Sequence, residues 1–167
     1  MEDMEFRHAA VLVAVIDKAN PSVIFTRRPM HMDKHAGQVS FPGGKLEPQD
    51  ADAKHTALRE AQEEIGLNPK YVNILGCLDI YHIGSGFKIC PVVALVSPGF
   101  KLTADPNEVD EIFEVPLDFL MAQTNLKLHS KVWRGKLRQY YALKYKQHEI
   151  WGATAGMLNN MRDMLNY

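Results

Sequence analysis

The stretch from Ala51 to Leu67 constrains this chain more than any other part of it. Ala57, Leu58, Ala61 and Ile65 recur at the spacing of one helical face. Asp50 or Asp52 precedes them as an acceptor for the first free amides, and Gly66 follows as a residue able to end a helix in a left-handed conformation. A helix over about 51–65 is expected, with a narrow apolar stripe that needs a flat partner. Val- and Ile-rich runs supply one. Ala9–Ile16 and Ser22–Thr26 read as strands joined by a turn, and Val72–Ile80 and Phe87–Val96 as strands around Gly84-Ser85-Gly86. Further along come a short strand Ile112–Val115 and a short helix opened by Pro116 and running to about Ala122. Strand segments Arg138–Tyr145 and Glu149–Trp151 follow, then a closing amphipathic helix, Gly152–Leu165. Strands interleaved with two principal helices predict an α/β sandwich around a mixed sheet, and the hairpin signals argue against a purely parallel one. With no repeat, low-complexity tract or Gly/Ser linker, residues 1–167 are expected to form a single domain.

The net charge of −1 conceals segregated blocks. Arg27, Arg28, Lys34 and Lys45, with His31 and His35, face the single acid Asp33. Glu47, Asp50, Asp52, Glu60, Glu63 and Glu64 come next, broken only by Lys54 and Arg59. Residues 105–118 are acidic without a base. Residues 127–146 are basic without an acid, and carry Trp133, Tyr140, Tyr141 and Tyr145. Each block alone reads as a solvated face; alternating in one small domain, they suit a site that handles both a metal cation and phosphate anions. The last block also has the interleaved aromatics of a nucleic-acid surface. The alternation of Tyr141, Leu143 and Tyr145 reads instead as a two-faced strand, and the balanced total charge speaks against long nucleic acid as the main partner.

Other classes fall away. Cys77 and Cys90 make no disulfide framework and no CxxC pair. His31 and His35 lack the glutamate of HExxH, so zinc is not expected. Met30, Met32, Met157, Met161 and Met164 read as packing residues rather than cofactor ligands. The longest apolar run, Ala9–Ile16, is too short to span a membrane, and the first five residues are acidic where a secretory leader is basic. A cytoplasmic protein without membrane attachment is expected.

On a helix, Glu60, Glu63 and Glu64 stand at i, i+3 and i+4, so three carboxylates share a face. Like charges so placed cost an isolated helix roughly 0.2–0.5 kcal/mol per pair. Arg59 can offset part of this through Glu63, and a hard divalent cation would offset more. The alternative is an acidic, solvated helix face. Ahead of the helix, Phe41-Pro42-Gly43-Gly44 allows close backbone approach to a ligand, while P-loop and dinucleotide fingerprints are absent.

Gly43-Gly44 followed by Arg59-Glu60-x-x-Glu63-Glu64-x-Gly66-Leu67 resembles the Nudix box, Gx5Ex7REUxEExGU with U aliphatic, the signature of Nudix pyrophosphohydrolases. Two details depart from it. Gly44 to Arg59 is one position longer, and the acid six after Gly44 is Asp50. Upstream, Ile24-Phe25-Thr26-Arg27-Arg28 and Lys34 to Gly44 are similar to the coenzyme A pyrophosphatase subgroup, which carries LLTxR(S/A)x3Rx3Gx3FPGG and the longer spacing. Ser85-Gly86-Phe87 with Pro91-Val92-Val93, and Ile150–Ala155, also resemble this subgroup. Pro29 replaces its Ser or Ala, and Asp33 its second Arg.

The resemblance implies an α/β/α sandwich and a Mg²⁺-dependent enzyme, with Mn²⁺ as a possible substitute, that cleaves the diphosphate of coenzyme A or acyl-CoA. It implies Glu60 and Glu64 as principal metal ligands, with Glu63 and the Gly44 carbonyl assisting, and Arg59 orienting the glutamates. Glu108, Glu111 or a box glutamate would be the general base. Arg28 is the favoured phosphate contact, with Arg27 and the Gly43-Gly44 backbone beside it. A small nucleotide is the expected partner, and a homodimer is possible. Asp33 keeps open another nucleoside diphosphate derivative or triphosphate as substrate, and a silent nucleotide-binding module is a third reading.

Overall fold

The computed structural model describes residues 7–165. Strands β1 (Arg7–Ile16), β2 (Ser22–Arg27), β3 (Val39–Ser40) and β4 (Gly43–Lys45) precede helix α1 (Ala53–Ile65). Strands β5 (Val72–Cys77), β6 (Tyr81–His82), β7 (Phe87–Val96) and β8 (Glu111–Pro116) follow, then helix α2 (Leu117–Met121). Strands β9 (Lys127–Trp133), β10 (Lys136–Tyr145) and β11 (His148–Trp151) lead into helix α3 (Ala153–Met164).

The first eight strands form one mixed sheet with the backbone order β3-β2-β1-β7-β5; β4 pairs with β1, β6 with β7 and β8 with β2. β1 and β7 run parallel from Arg7↔Phe87 to Ile16↔Val96, and the other pairings are antiparallel. β1 has two buried faces, so it reads as a nearly continuous apolar run. Ala10, Leu12, Ala14 and Ile16 pack towards Ala57, Ala61 and Ile65 of α1, while Val13 and Val15 pack with Phe25, Phe41, Leu158 and Met161 on the opposite side. The period of two thus places α1 on one face and α3 on the other. The expected mixed α/β sandwich is the one observed.

Local boundaries differ from the sequence reading for identifiable reasons. α1 begins at Ala53 because Asp52 is its cap, accepting from the His55 amide at 2.9 Å. Gly66 ends the helix at φ 67°, as expected. The strand expected over 72–80 stops at Cys77, after a register shift between Ile74 and Gly76, and pairing resumes only at Tyr81. Residues 127–145 make a long hairpin in a separate antiparallel sheet, β11-β10-β9. The expected face of Tyr141, Leu143 and Tyr145 packs on the core at the base of the hairpin, while all of β9 and residues 136–139 are exposed. Met157 and Met161 are core residues, whereas Met30 and Met164 are exposed. His148 is buried, stacked on Phe113 with ring centroids 3.6 Å apart.

Candidate active site

The Phe41–Gly44 segment enters the sheet edge as β4, with Ala10↔Gly44 and Val11↔Gly43 in register. A side chain at position 43 would collide with the Ala10 carbonyl and Val11, and one at 44 with the Glu60 carboxylate. Gly43 is therefore demanded by backbone approach, and Gly44 leaves the space that the Glu60 carboxylate occupies. The first lets β4 lie on β1, and the second lets α1 bring Glu60 against the strand.

Arg59 sets the arrangement on α1. Its Nε and Nη2 donate to Oδ1 and Oδ2 of Asp50, each at 2.9 Å, and Nη2 also reaches the Lys45 carbonyl at 3.1 Å. Nη1 donates to Glu60 at 3.0 Å and to Glu63 at 3.2 Å. Asp50, whose side chain has no exposed surface, also accepts from the Thr56 hydroxyl at 2.8 Å. The fork holds its carboxyl well below the usual carboxylate range, chiefly through the hydrogen bonds from Arg59. Asp50 is thus the buried anchor of Arg59, and capping falls to Asp52.

Glu108 reaches the same place through the end of the helix. The last carbonyls of α1 have no partner within the helix. Here the Asp105 amide donates to the Glu64 carbonyl and the Thr103 amide to that of Ile65, each at 2.9 Å. Asp105 then turns the chain by accepting from the Asn107 amide at 3.0 Å, and the Asp110 amide bonds the Arg27 carbonyl at 2.9 Å. Pinned between α1 and β2, this loop brings Glu108 to the glutamates. One carboxylate oxygen from each of Glu60, Glu64 and Glu108 lies within 4.8 Å of the other two.

Such a cluster is costly without a cation. Burial, reinforced by the charges of Glu60 and Glu108, pushes the Glu64 carboxyl up to about 8, against opposition from the Gly43 amide and the Arg28 charge. Glu60 is also raised by burial, with Arg59 opposing. Three converging carboxylates, two of them partly buried and Glu108 exposed, suit a hard divalent ion with oxygen ligands. The donor set fits Mg²⁺ or Mn²⁺, and His31 and His35 are not among the grouped residues. Glu63 stands apart, with its exposed carboxylate on Arg59.

Arg28 and Arg27 diverge. The charge of Arg28 acts on Glu64, and its buried Nε, like that of Arg27, has no hydrogen-bond partner. Arg27 is engaged elsewhere, 2.5 Å from Asp110 and 3.4 Å from Glu111. Glu111, the other candidate base, lies on β8, where it meets Arg27 and His148 rather than the glutamate cluster. Asp33 is exposed in the 29–37 loop, which the Gly37 amide closes onto the Arg28 carbonyl at 3.1 Å.

Residues 6–134 match the family model of the NUDIX domain. The chain belongs to the Nudix family. It is 40% identical over 155 residues to the uncharacterized Nudix hydrolase NudL of Photorhabdus laumondii, covering 93% of this chain and 83% of that one. The Escherichia coli K12 protein of the same description is 34% identical over 160 residues, covering 96% and 83%. Among solved structures, the Nudix hydrolase RenU from M. smegmatis shares the fold with TM-score 0.63 at 14% identity, over 96% of this chain and 85% of that one. This Nudix chain is accordingly a pyrophosphatase-type hydrolase whose acidic cluster is compatible with the divalent metals the family uses. No helix among the described residues is long and apolar enough to cross a membrane.

Proposed function

We propose that this Nudix hydrolase cleaves the diphosphate of coenzyme A or an acyl-CoA, giving 3′,5′-ADP and 4′-phosphopantetheine or its acyl form. The observation that carries the reading is the convergence of Glu60, Glu64 and Glu108 near Arg28, the arginine that holds the position of the coenzyme A pyrophosphatase pattern. Glu60 and Glu64 would hold Mg²⁺, with the Gly44 carbonyl as a further ligand and Glu63 left to balance Arg59. A metal held there supplies charge neutralisation at the diphosphate and a lowered pKa for bound water. Arg28 offers its guanidinium to a phosphate, Glu108 takes the proton of the attacking water, and Arg59 keeps Glu60 aimed.

A cavity of about 420 Å³ is lined by Tyr81, His82, Ile83, Leu128, Tyr140 and Tyr141, without a carboxylate or a lysine. That lining suits an uncharged arm or a base better than a phosphate.

Asp33 favours a second reading, in which the reaction is kept but the substrate is another nucleoside diphosphate derivative. The NUDIX domain of Shewanella oneidensis NrtR, solved with ADP ribose, shares the fold with TM-score 0.58 at 15% identity, over 96% of this chain and 88% of that one. Purified protein with Mg²⁺ is to be offered coenzyme A, acetyl-CoA, ADP-ribose, a dinucleoside polyphosphate and nucleoside triphosphates. Preferential release of 3′,5′-ADP supports the first reading. Coenzyme A turning over no faster than the rest supports the second, and binding without turnover would leave a nucleotide-binding module.

A further inference from the structure

The β9–β10 hairpin is exposed in a way that the hydrolase site does not explain. Its turn, Trp133-Arg134-Gly135-Lys136, has two central residues at positive φ, 49° for Arg134 and 74° for Gly135. This is the primed turn of a tight hairpin, whose first central position usually goes to Asn or Asp. An arginine accepts the left-handed strain there, with its guanidinium 5.9 Å from the Trp133 ring centre.

Residues paired across an antiparallel ladder share a face. The rung at the turn is Trp133↔Lys136, the next Val132↔Leu137, and the third Lys131↔Arg138. Val132, Trp133 and Leu137 are 65%, 53% and 68% exposed. The third rung sets two cations directly opposite each other, a destabilising pairing in a sheet, and no acid occurs between Lys127 and Lys146. Among the described residues, Lys131, Arg134, Lys136 and Arg138 have no ion pair. The tip therefore combines an apolar point, aromatic on one face and aliphatic on the other, with a collar of uncompensated cations.

We propose that this hairpin tip docks on the surface of an anionic lipid bilayer. Trp133 at the turn, with Val132 and Leu137 one rung behind it, enters the boundary between headgroups and acyl chains, and Lys131, Arg134, Lys136 and Arg138 meet the anionic headgroups. Charge complementarity selects this occupant. Single-stranded nucleic acid would use the rings and cations but leave Val132 and Leu137 in water. A second copy joined tip to tip about a two-fold axis would bury the aliphatic pair but press like cations together. An anionic bilayer satisfies both features, by surface contact and not by a span. The inference is independent of the substrate reading.

The test is flotation of the full chain with vesicles of phosphatidylcholine alone and of phosphatidylcholine containing phosphatidylglycerol. Expected are roughly tenfold stronger binding to the anionic vesicles and weakening by high salt. A Trp151→Phe background, which leaves Trp133 as the sole indole, should show a blue shift on binding. Leu137→Asp with Val132→Ser, and separately Lys131→Glu with Arg138→Glu, should each abolish flotation while turnover in solution stays unchanged. Failure of the unaltered chain to float, or equal salt-insensitive flotation with both vesicles, would overturn the proposal. So would a dimer in sedimentation velocity that Leu137→Asp dissolves, or capture of a single-stranded oligonucleotide that vesicles fail to displace.

Discussion

Asp50 and Arg59 are joined by two parallel hydrogen bonds of 2.9 Å, with the carboxylate closed off from solvent. A planar fork of this kind fixes direction as well as distance. What it fixes is the remaining guanidinium nitrogen, which points the Glu60 carboxylate into the cluster.

Asp50→Asn should therefore lower activity without abolishing it. A drop of about 10–100-fold in kcat or in apparent Mg²⁺ affinity is expected, the range for residues that orient metal ligands. Arg59→Lys should behave similarly, because an ammonium cannot reproduce the planar fork that serves three carboxylates and a carbonyl. Steady-state kinetics across a Mg²⁺ titration checks both. Unchanged Mg²⁺ dependence in each variant would refute the orienting role.

The glutamates should separate by position. Glu64→Gln and Glu60→Gln should remove saturable Mn²⁺ binding followed by electron paramagnetic resonance. Glu63→Gln, whose carboxylate lies outside the cluster, should retain it within about tenfold. Equal losses at all three positions would contradict the observed grouping.

Glu64 also sets a pH dependence. Its carboxyl is raised from an ordinary 4.5 to about 8, first by burial and then by Glu60 and Glu108. Between these values the folded metal-free protein keeps a proton that the unfolded chain has released, so stability should fall as pH rises and level off above about 8. Glu64→Gln should flatten this trend in urea melts at pH 5, 6.5 and 8. Metal binding at neutral pH should release protons, so apparent Mg²⁺ affinity should rise with pH over the same window.

The two glycines should fail differently when replaced by alanine. At position 43 the added carbon meets the Ala10 backbone and Val11, which cannot yield, and a stability loss of about 1–3 kcal/mol is expected. At position 44 it meets the tip of a side chain, Glu60. Gly44→Ala should leave the melting temperature nearly intact and weaken the metal site. Thermal melts read beside Mn²⁺ binding distinguish the two.

The sequence made α1 and its glutamates legible because cap, stripe and left-handed terminator are local signals. Glu108 could be named from sequence as a candidate base, but its place beside the glutamates depends on two helix-end carbonyls, of Glu64 and Ile65, captured by the distant amides of Asp105 and Thr103. The same holds for the parting of Arg27 from Arg28, which depends on β8 lying beside β2 and supplying Glu111. Asp50 was visible as a departure from the usual glutamate, but its burial follows from the fork of Arg59, a tertiary fact. The alternation of Tyr141, Leu143 and Tyr145 correctly indicated a strand with one face on the core, but nothing in it marks where that cover ends, and 127–139 run on exposed. Period two reports pleating, and whether a face is covered depends on what is packed above it.

The parallel pairing of β1 with β7 has a consequence for how the chain comes into being. Parallel neighbours need a long crossover, and here β2, β3, β4, α1, β5 and β6 all intervene between Arg7 and its partner Phe87. Loop closure on that scale slows folding, and a growing nascent chain can pair β1 with β2 and β4 but cannot complete its other edge until β7 has left the ribosome. The glutamate helix is synthesised early with only part of its sheet to pack on, and the loop that carries Glu108 arrives later still. Catalytic competence is thus a late event in biosynthesis, and until then one long edge of the apolar strand β1 stands without its parallel partner.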